Sequence, residues 1–221
     1  MTRRRTVAGG GIEVEVAPDR LVGWIDRFAA RNAGLRDIST DGRSVQIRAG
    51  EGTLARLTVP FGAMPVDDRE PVDALLQHLA TLGELGVILV RGGAHSVGIV
   101  KDGFTVRSST DRAYLQGRTA AGGWSQQRFA RRRDNQRTAS LDDAATAAAR
   151  LLVPEVATMA GLVLGGDRRS LADVLADPRL APLAALPRRT FGDVPEPRRA
   201  VLDEIATRSL SVPIVIVDAA P

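Results

Sequence analysis

Residues 11–16, GIEVEV, alternate apolar and polar positions and predict a strand. Leu21, Trp24, Ile25 and Phe28 then recur at helical spacing and predict a helix over 18–32. Residues 44–48 and 53–59 read as two strands joined by a tight AGEG turn at 49–52. Prolines and glycine punctuate residues 60–70, which read as a linker or an excursion. Val72, Leu75, Leu76 and Leu79 mark one face of a helix over 71–82. The pattern gives a smaller α+β module over residues 1–83.

The second half follows a different pattern. GVILVRGG (86–93) is a continuous apolar run bounded by glycines, as in a strand covered on both faces. HSVGIVKDG (95–103) and FTVRSST (104–110) predict two more strands, with glycines suited to hairpin turns between them. A loop occupies 111–123, glycine-rich from 117 to 124. Ser125 is placed to cap a helix that runs towards Leu152 and stops before Pro154. SLDD at 140–143 has the form of a capping box, which predicts a break or restart near Ala139. A buried strand (160–165), two short helices (170–176 and 198–208) and a terminal strand (212–218) complete the chain. The expectation is an α/β domain over 84–221, a mixed sheet with packed helices, and no internal repeat.

Composition changes this picture mainly by exclusion. With 221 residues, 44% hydrophobic and 25% charged, the chain has enough apolar surface for one sizeable core or two small ones. It has no cysteine, which excludes disulfides, thiolate metal sites and cysteine catalysis. Its two histidines, His78 and His95, are too far apart in sequence to suggest a metal site. The start, MTRRRTVAGGGIEVEV, is basic but no long apolar run follows, so neither an export signal nor a membrane span is expected. A cytoplasmic protein is the default.

Charge adds more, because it is uneven. Lys101, Arg107, Arg112, Arg118, Arg128, Arg131, Arg132, Arg133 and Arg137 share one segment with only Asp102, Asp111 and Asp134. That segment carries +6 of a chain whose total is +4. Such a field reads as a polyanion footprint or as a solvated helix face. The predicted helix presents arginine on several sides, where a plain amphipathic surface helix would confine it to one. Trp124 and Phe129 lie among these arginines, to stack on bases or to pack on the protein, and packing is favoured for Phe129.

GGWSQQRFARRR, residues 122–133, resembles the loop and helix of the archaeal and eukaryotic class-1 peptide-chain release factors. Their tripeptide Gly-Gly-Gln is followed by Ser and then by Arg-Phe-Ala-Arg. Gly122, Gly123, Ser125, Arg128, Phe129, Ala130 and Arg131 stand where that pattern places them, and Trp124 stands at the family's glutamine. MAGLVLGG (159–166) resembles the strand after the long helix of the same central domain, and the likeness runs over about 83–218. A related group, the release-factor-like peptidyl-tRNA hydrolases of ribosome quality control, carries a Gly-x-x-Gln loop. Residues 123–126, GWSQ, match that form, which resembles the bacterial branch of this group.

The resemblance implies a release-factor central domain with an RNase H-like sheet. It implies codon-independent hydrolysis of the ester between nascent peptide and tRNA, on stalled or split ribosomal complexes. Gly122, Gly123 and Gln126 or Gln127 would form the catalytic tip. Arg118, Trp124, Arg128, Arg131, Arg132, Arg133 and Arg137 would hold RNA. The implied partners are large-subunit rRNA and peptidyl-tRNA, with no cofactor, no metal and a monomeric protein. The residues outside the resemblance are too few for codon-reading and partner-docking domains, so stop-codon termination is not expected.

An uncharged amide suits such a tip. It donates and accepts hydrogen bonds, a nearby backbone N–H can stabilise developing negative charge, and positioning supplies the rate. Other readings remain open. One is a non-catalytic protein that binds the ribosome or another structured RNA with the same helix. A second is a hydrolase pair drawn from His95, Ser96 and Ser125. A third is a phosphate site at GGDRRS (165–170), and a fourth is a metal nuclease using Asp102 and Asp167. His95 is expected to be structural and 165–170 a strand-to-helix turn.

Overall fold

The computed structural model describes residues 4–7, 10–112 and 124–218, with side chains over 5–7, 10–112 and 135–218. In chain order the strands and helices are β1 (Arg4–Thr6), β2 (Ile12–Val16), α1 (Leu21–Arg31), β3 (Leu35–Thr40), β4 (Ser44–Ala49), β5 (Leu54–Thr58) and α2 (Pro71–Ala80). Then come β6 (Glu84–Arg91), β7 (Ala94–Lys101), β8 (Phe104–Arg112), α3 (Trp124–Leu152) and β9 (Met159–Gly166). They are followed by α4 (Arg168–Leu175), β10 (Arg188–Phe191), α5 (Arg199–Ser209) and β11 (Val212–Val217). Two compact units result, one of Met1–Leu82 with Leu210–Pro221 and the other of Gly83–Ser209.

The first unit is a six-stranded antiparallel sheet in the order β1-β2-β11-β5-β4-β3. Leu21, Ile25 and Phe28 of α1 and Leu75 and Leu79 of α2 pack with Val14, Ile47 and Leu57 of the sheet. Alternation along β2 and β5 fits a sheet with one covered face.

The terminal strand corrects the expected domain division. It was assigned with residues 84–221, but Ile214 pairs with Val14 on one side and Leu57 on the other. Without it β2 and β5 would present unpaired edges in the middle of the sheet. Pro213 is tolerated because it is matched only to Glu15 of β2, and pairing with β5 starts at Ile214.

The second unit has a five-stranded mixed sheet, β10-β9-β6-β7-β8. β6, β7 and β8 form an antiparallel meander, and β9 and β10 continue it in parallel. This is the expected RNase H-like order. Ile88, Val90, Val97, Ile99, Leu162 and Leu164 face a core shared with α3 and α4. On the opposite face Leu202 of α5 lies where a Cβ on Gly98 would be 3.0 Å from its Cδ2. Coverage on both faces explains the unbroken apolar run of β6 and the burial of β7 along its length as far as Val100.

The turn joining β6 to β7 places Gly92 at φ 59° and Gly93 at φ 85°. Two successive positive φ values are what a two-residue hairpin of matching twist requires. Sequence periodicity misses β1, β3 and β10. It also misses the 3-10 segment Pro178–Ala185.

Candidate functional site

The second unit gathers its chemistry at one end of its sheet. β8 ends at Arg112, which is matched to Ala94 beside the Gly92–Gly93 turn. β9 ends at Gly166, matched to Val90 at the same end. α3 is held at the same end, since the Ser140 hydroxyl donates to the Gly93 carbonyl at 2.9 Å.

α3 is one unbroken helix of 29 residues, about 43 Å long. Its C-terminal half is anchored on the sheet by Ala144, Ala145, Ala148 and Leu152, all buried. Among residues with described side chains, the first buried one is Ser140. From there back to Trp124 is about 24 Å of helix. Asn135, Thr138 and Ala139, on the last turn before the anchor, are exposed.

The break expected at Ala139 does not occur. Helix-forming residues flank Ser140 on both sides, and its hydroxyl finds a carbonyl on the sheet instead of capping a new helix. Ser140→Ala should leave the Gly93 carbonyl unsatisfied and lower stability by about 1 kcal/mol, read as a shift of the denaturant midpoint. The helix begins at Trp124, so Ser125 falls inside its first turn rather than before it.

The expected tip residues Gly122 and Gly123 and the expected RNA contact Arg118 lie outside the described residues. Trp124, Gln126, Gln127, Arg128, Arg131, Arg132 and Arg133 lie on the helical backbone of α3, and their side chains are outside the described residues. The two glutamines therefore occupy the first turn. Arg137 is described, and its Nη2 lies 3.1 Å from Asp173 Oδ2 with both side chains partly exposed.

The sheet end carries further arginines, of which Arg91 had no place in the sequence analysis. Arg91 Nη1 donates to the Val194 carbonyl at 2.5 Å. Arg112 pairs with Glu196 at 2.9 Å. Arg168 and Arg169, in the first turn of α4, are exposed. Strand register brings α4 to this end of the sheet: the Asp167 N–H donates to the Val90 carbonyl at 2.8 Å, next to the Gly92–Gly93 turn.

The other flank of α3 is acidic. Asp142, Asp173 and Asp177 line an open cleft of about 370 Å³ between α3 and α4. Arg179 holds Asp142 at 2.7 Å and Asp177 at 2.6 Å. Its side-chain hydrogen bond and the Arg179 backbone N–H hold Asp177 down to about 2. Three carboxylates make this flank poorly suited to phosphate.

Among the described side chains the competing sites do not assemble, and the side chain of Ser125 lies outside them. His95 and Ser96 point to opposite faces of β7. The Ser96 hydroxyl is 2.7 Å from that of Thr110. Asp167 accepts from the Ser170 N–H at 2.7 Å and caps α4, so its carboxylate fills the place an anion would take. Asp102 sits in the β7–β8 turn, at the far end of an eight-residue strand from Asp167. No cluster of three or more His, Cys, Asp or Glu able to hold a metal ion occurs among the described residues.

His95 is 4% exposed, and burial lowers its pKa, opposed by the charges of Asp111 and Asp143. The unfolded chain therefore binds a proton that the folded chain resists. Stability should fall as pH drops below about 6.5. The slope is limited to about 1.4 kcal/mol per pH unit for one proton. His95→Leu should flatten the stability profile between about pH 7 and 5, measured by denaturant titration.

Residues 83–215 match the family described as Actinobacteria/chloroflexi VLRF1 release factor, and the chain belongs to that family. The match begins at Gly83, where the second unit begins. A similar solved structure is the archaeal translation termination factor aRF1, at 12% identity and a TM-score of 0.32, covering 90% of this chain. This chain spans 66% of that protein's length. No curated protein matches the chain in sequence. No described helix is long and apolar enough to cross a membrane.

Proposed function

We propose that the chain is a codon-independent peptidyl-tRNA hydrolase that frees nascent chains from stalled or split ribosomal complexes. The observation that carries this reading is the release-factor family match over the unit that holds the Gly-x-x-Gln segment. The geometry supports it. A long helix whose buried anchor on the sheet begins, among the described side chains, at Ser140 carries the two glutamines at its first turn, about 24 Å away. A slender basic rod can reach into an RNA-walled cavity while its base stays on the sheet.

In this reading Arg128, Arg131, Arg132 and Arg133 hold rRNA and tRNA phosphates, aided by Arg118, Arg137 and Trp124. Gly122 and Gly123 allow the backbone to approach the ester. The amide of Gln126 or Gln127 orients a water. The water oxygen attacks the ester carbonyl, the carbon–oxygen bond to the terminal ribose breaks, and the ribose oxygen takes up a proton. The products are a peptide with a free carboxylate and intact tRNA. The protein acts as a monomer and needs no cofactor.

The test is release from purified large subunits carrying labelled peptidyl-tRNA. Free peptide and full-length tRNA are expected. Binding without release would leave an RNA-binding protein that occupies the site, and cut tRNA would make it a nuclease.

A further inference from the structure

The first unit has a groove that the hydrolase reading does not use. Arg20, Trp24, Arg27, Phe28 and Arg31 fall on one face of α1 and the turn before it. With Asn32, and with Val14 and Ile216 from β2 and β11, they line an open groove of about 570 Å³. No acidic residue lines it. The α3–α4 cleft of the second unit, by contrast, is lined by three aspartates.

Arg20, Arg27 and Arg31 are exposed, and none has an ion-pair partner among the described residues. They spread over about 16 Å of chain along the helix. Between them the Trp24 ring stacks on Phe28, centroids 5.4 Å apart and planes 12° from parallel. Phe28 is buried and packs into the core, so the stack is fixed from below. Trp24 is only half-buried. The partly exposed indole, held by its stack on Phe28, lines the same groove as the three arginines.

We infer that this groove binds single-stranded RNA, with a base stacked on Trp24 and phosphates held by Arg20, Arg27 and Arg31. Guanidinium forks suit phosphate oxygens. An aromatic face in a basic groove is the common means of holding a strand without reading its sequence. An acidic peptide would use the charges but has no flat group for the indole. For a chain of a release-factor family, RNA is the polyanion at hand. The inference goes beyond the proposed hydrolysis and stands without it, because it concerns the other unit. It assigns that unit the role of a second RNA contact.

The test uses the full chain with Arg131→Gln, Arg132→Gln and Arg133→Gln, so that α3 contributes less. Binding of a fluorescent oligoadenylate is followed by anisotropy over a range of salt. Adding Arg20→Gln, Arg27→Gln and Arg31→Gln should weaken binding by about tenfold or more and lower the salt slope by about 2, the value for three phosphates on a single strand. An abasic strand of equal length should bind the parent roughly fivefold or more weakly, reflecting the lost stacking. These arginines are exposed and outside the core, so an unchanged Tm should accompany the loss. Equal binding by the two proteins would overturn the inference. So would equal binding of abasic and adenine-bearing strands, or displacement of the RNA by polyglutamate of equal charge at equal concentration.

Discussion

Gln126→Ala is expected to slow peptide release by about a hundredfold or more while leaving affinity for the large subunit within a factor of about two. Removing one preorganised donor at a developing charge typically costs 10² to 10³ in rate, and losing a positioned proton-handling group costs about as much. The binding energy comes from elsewhere, from arginines on phosphate, so truncating an uncharged amide leaves it in place. Gln127→Ala belongs in the same experiment. Both residues lie in the first turn of α3, and neighbours on a helix point about 100° apart, so only one of them can face the ester. The Gly-x-x-Gln spacing favours Gln126. A large loss in Gln127→Ala with none in Gln126→Ala would keep the mechanism and move the residue. Unchanged release in both variants and in their double would remove the amide from the account.

The second large effect concerns stability. Gly166 has φ 109°, and a Cβ there would lie on the carbonyl oxygen of Val90. That carbonyl accepts the N–H of Asp167, the residue that caps α4. Gly166→Ala must adopt a strained backbone and displace β6 from β9, each at a cost of about 1 to 3 kcal/mol. The expected loss of about 2 to 6 kcal/mol is a large share of the 5 to 15 kcal/mol that holds a typical domain together. Denaturant unfolding measures it. A loss under about 1 kcal/mol would show that the turn relaxes freely. The substitution lies in the second unit and Trp24 in the first, so Trp24 serves as an internal reference for local against global unfolding.

How much of this was readable in the sequence depends on the kind of signal each element carries. α1 and α2 were legible because one face of each is apolar at helical spacing and is buried. β6 and β7 were legible because both of their faces are covered. β3 was not, because LRDIST is an edge strand with no buried residue. Its pattern is that of a polar loop, and only pairing with β4 makes it a strand. β10 is four residues long, too short for a period to register.

β11 shows a different limit. VPIVIV reads as a terminal strand within the expected 84–221 domain, yet its burial alternates as in the first sheet. Hydrophobicity says that a segment joins a sheet and is silent on which one, because its partners are 150 residues and more away in sequence. The site divides in the same way. The basic run and the glutamines are local and could be read directly. Arg91 comes to the start of α4 only through strand register, and Ser140 looked like a helix start because its real partner, Gly93, is distant in sequence.

The central claim is that water, placed by this protein, attacks the ester of peptidyl-tRNA. The most direct measurement is release carried out in heavy-oxygen water, with mass analysis of the peptide and of the tRNA end. The account predicts one heavy oxygen in the C-terminal carboxylate of the peptide and an intact, unlabelled tRNA 3′ terminus. A peptide that stays on its tRNA, or leaves with a nucleotide attached, would contradict it.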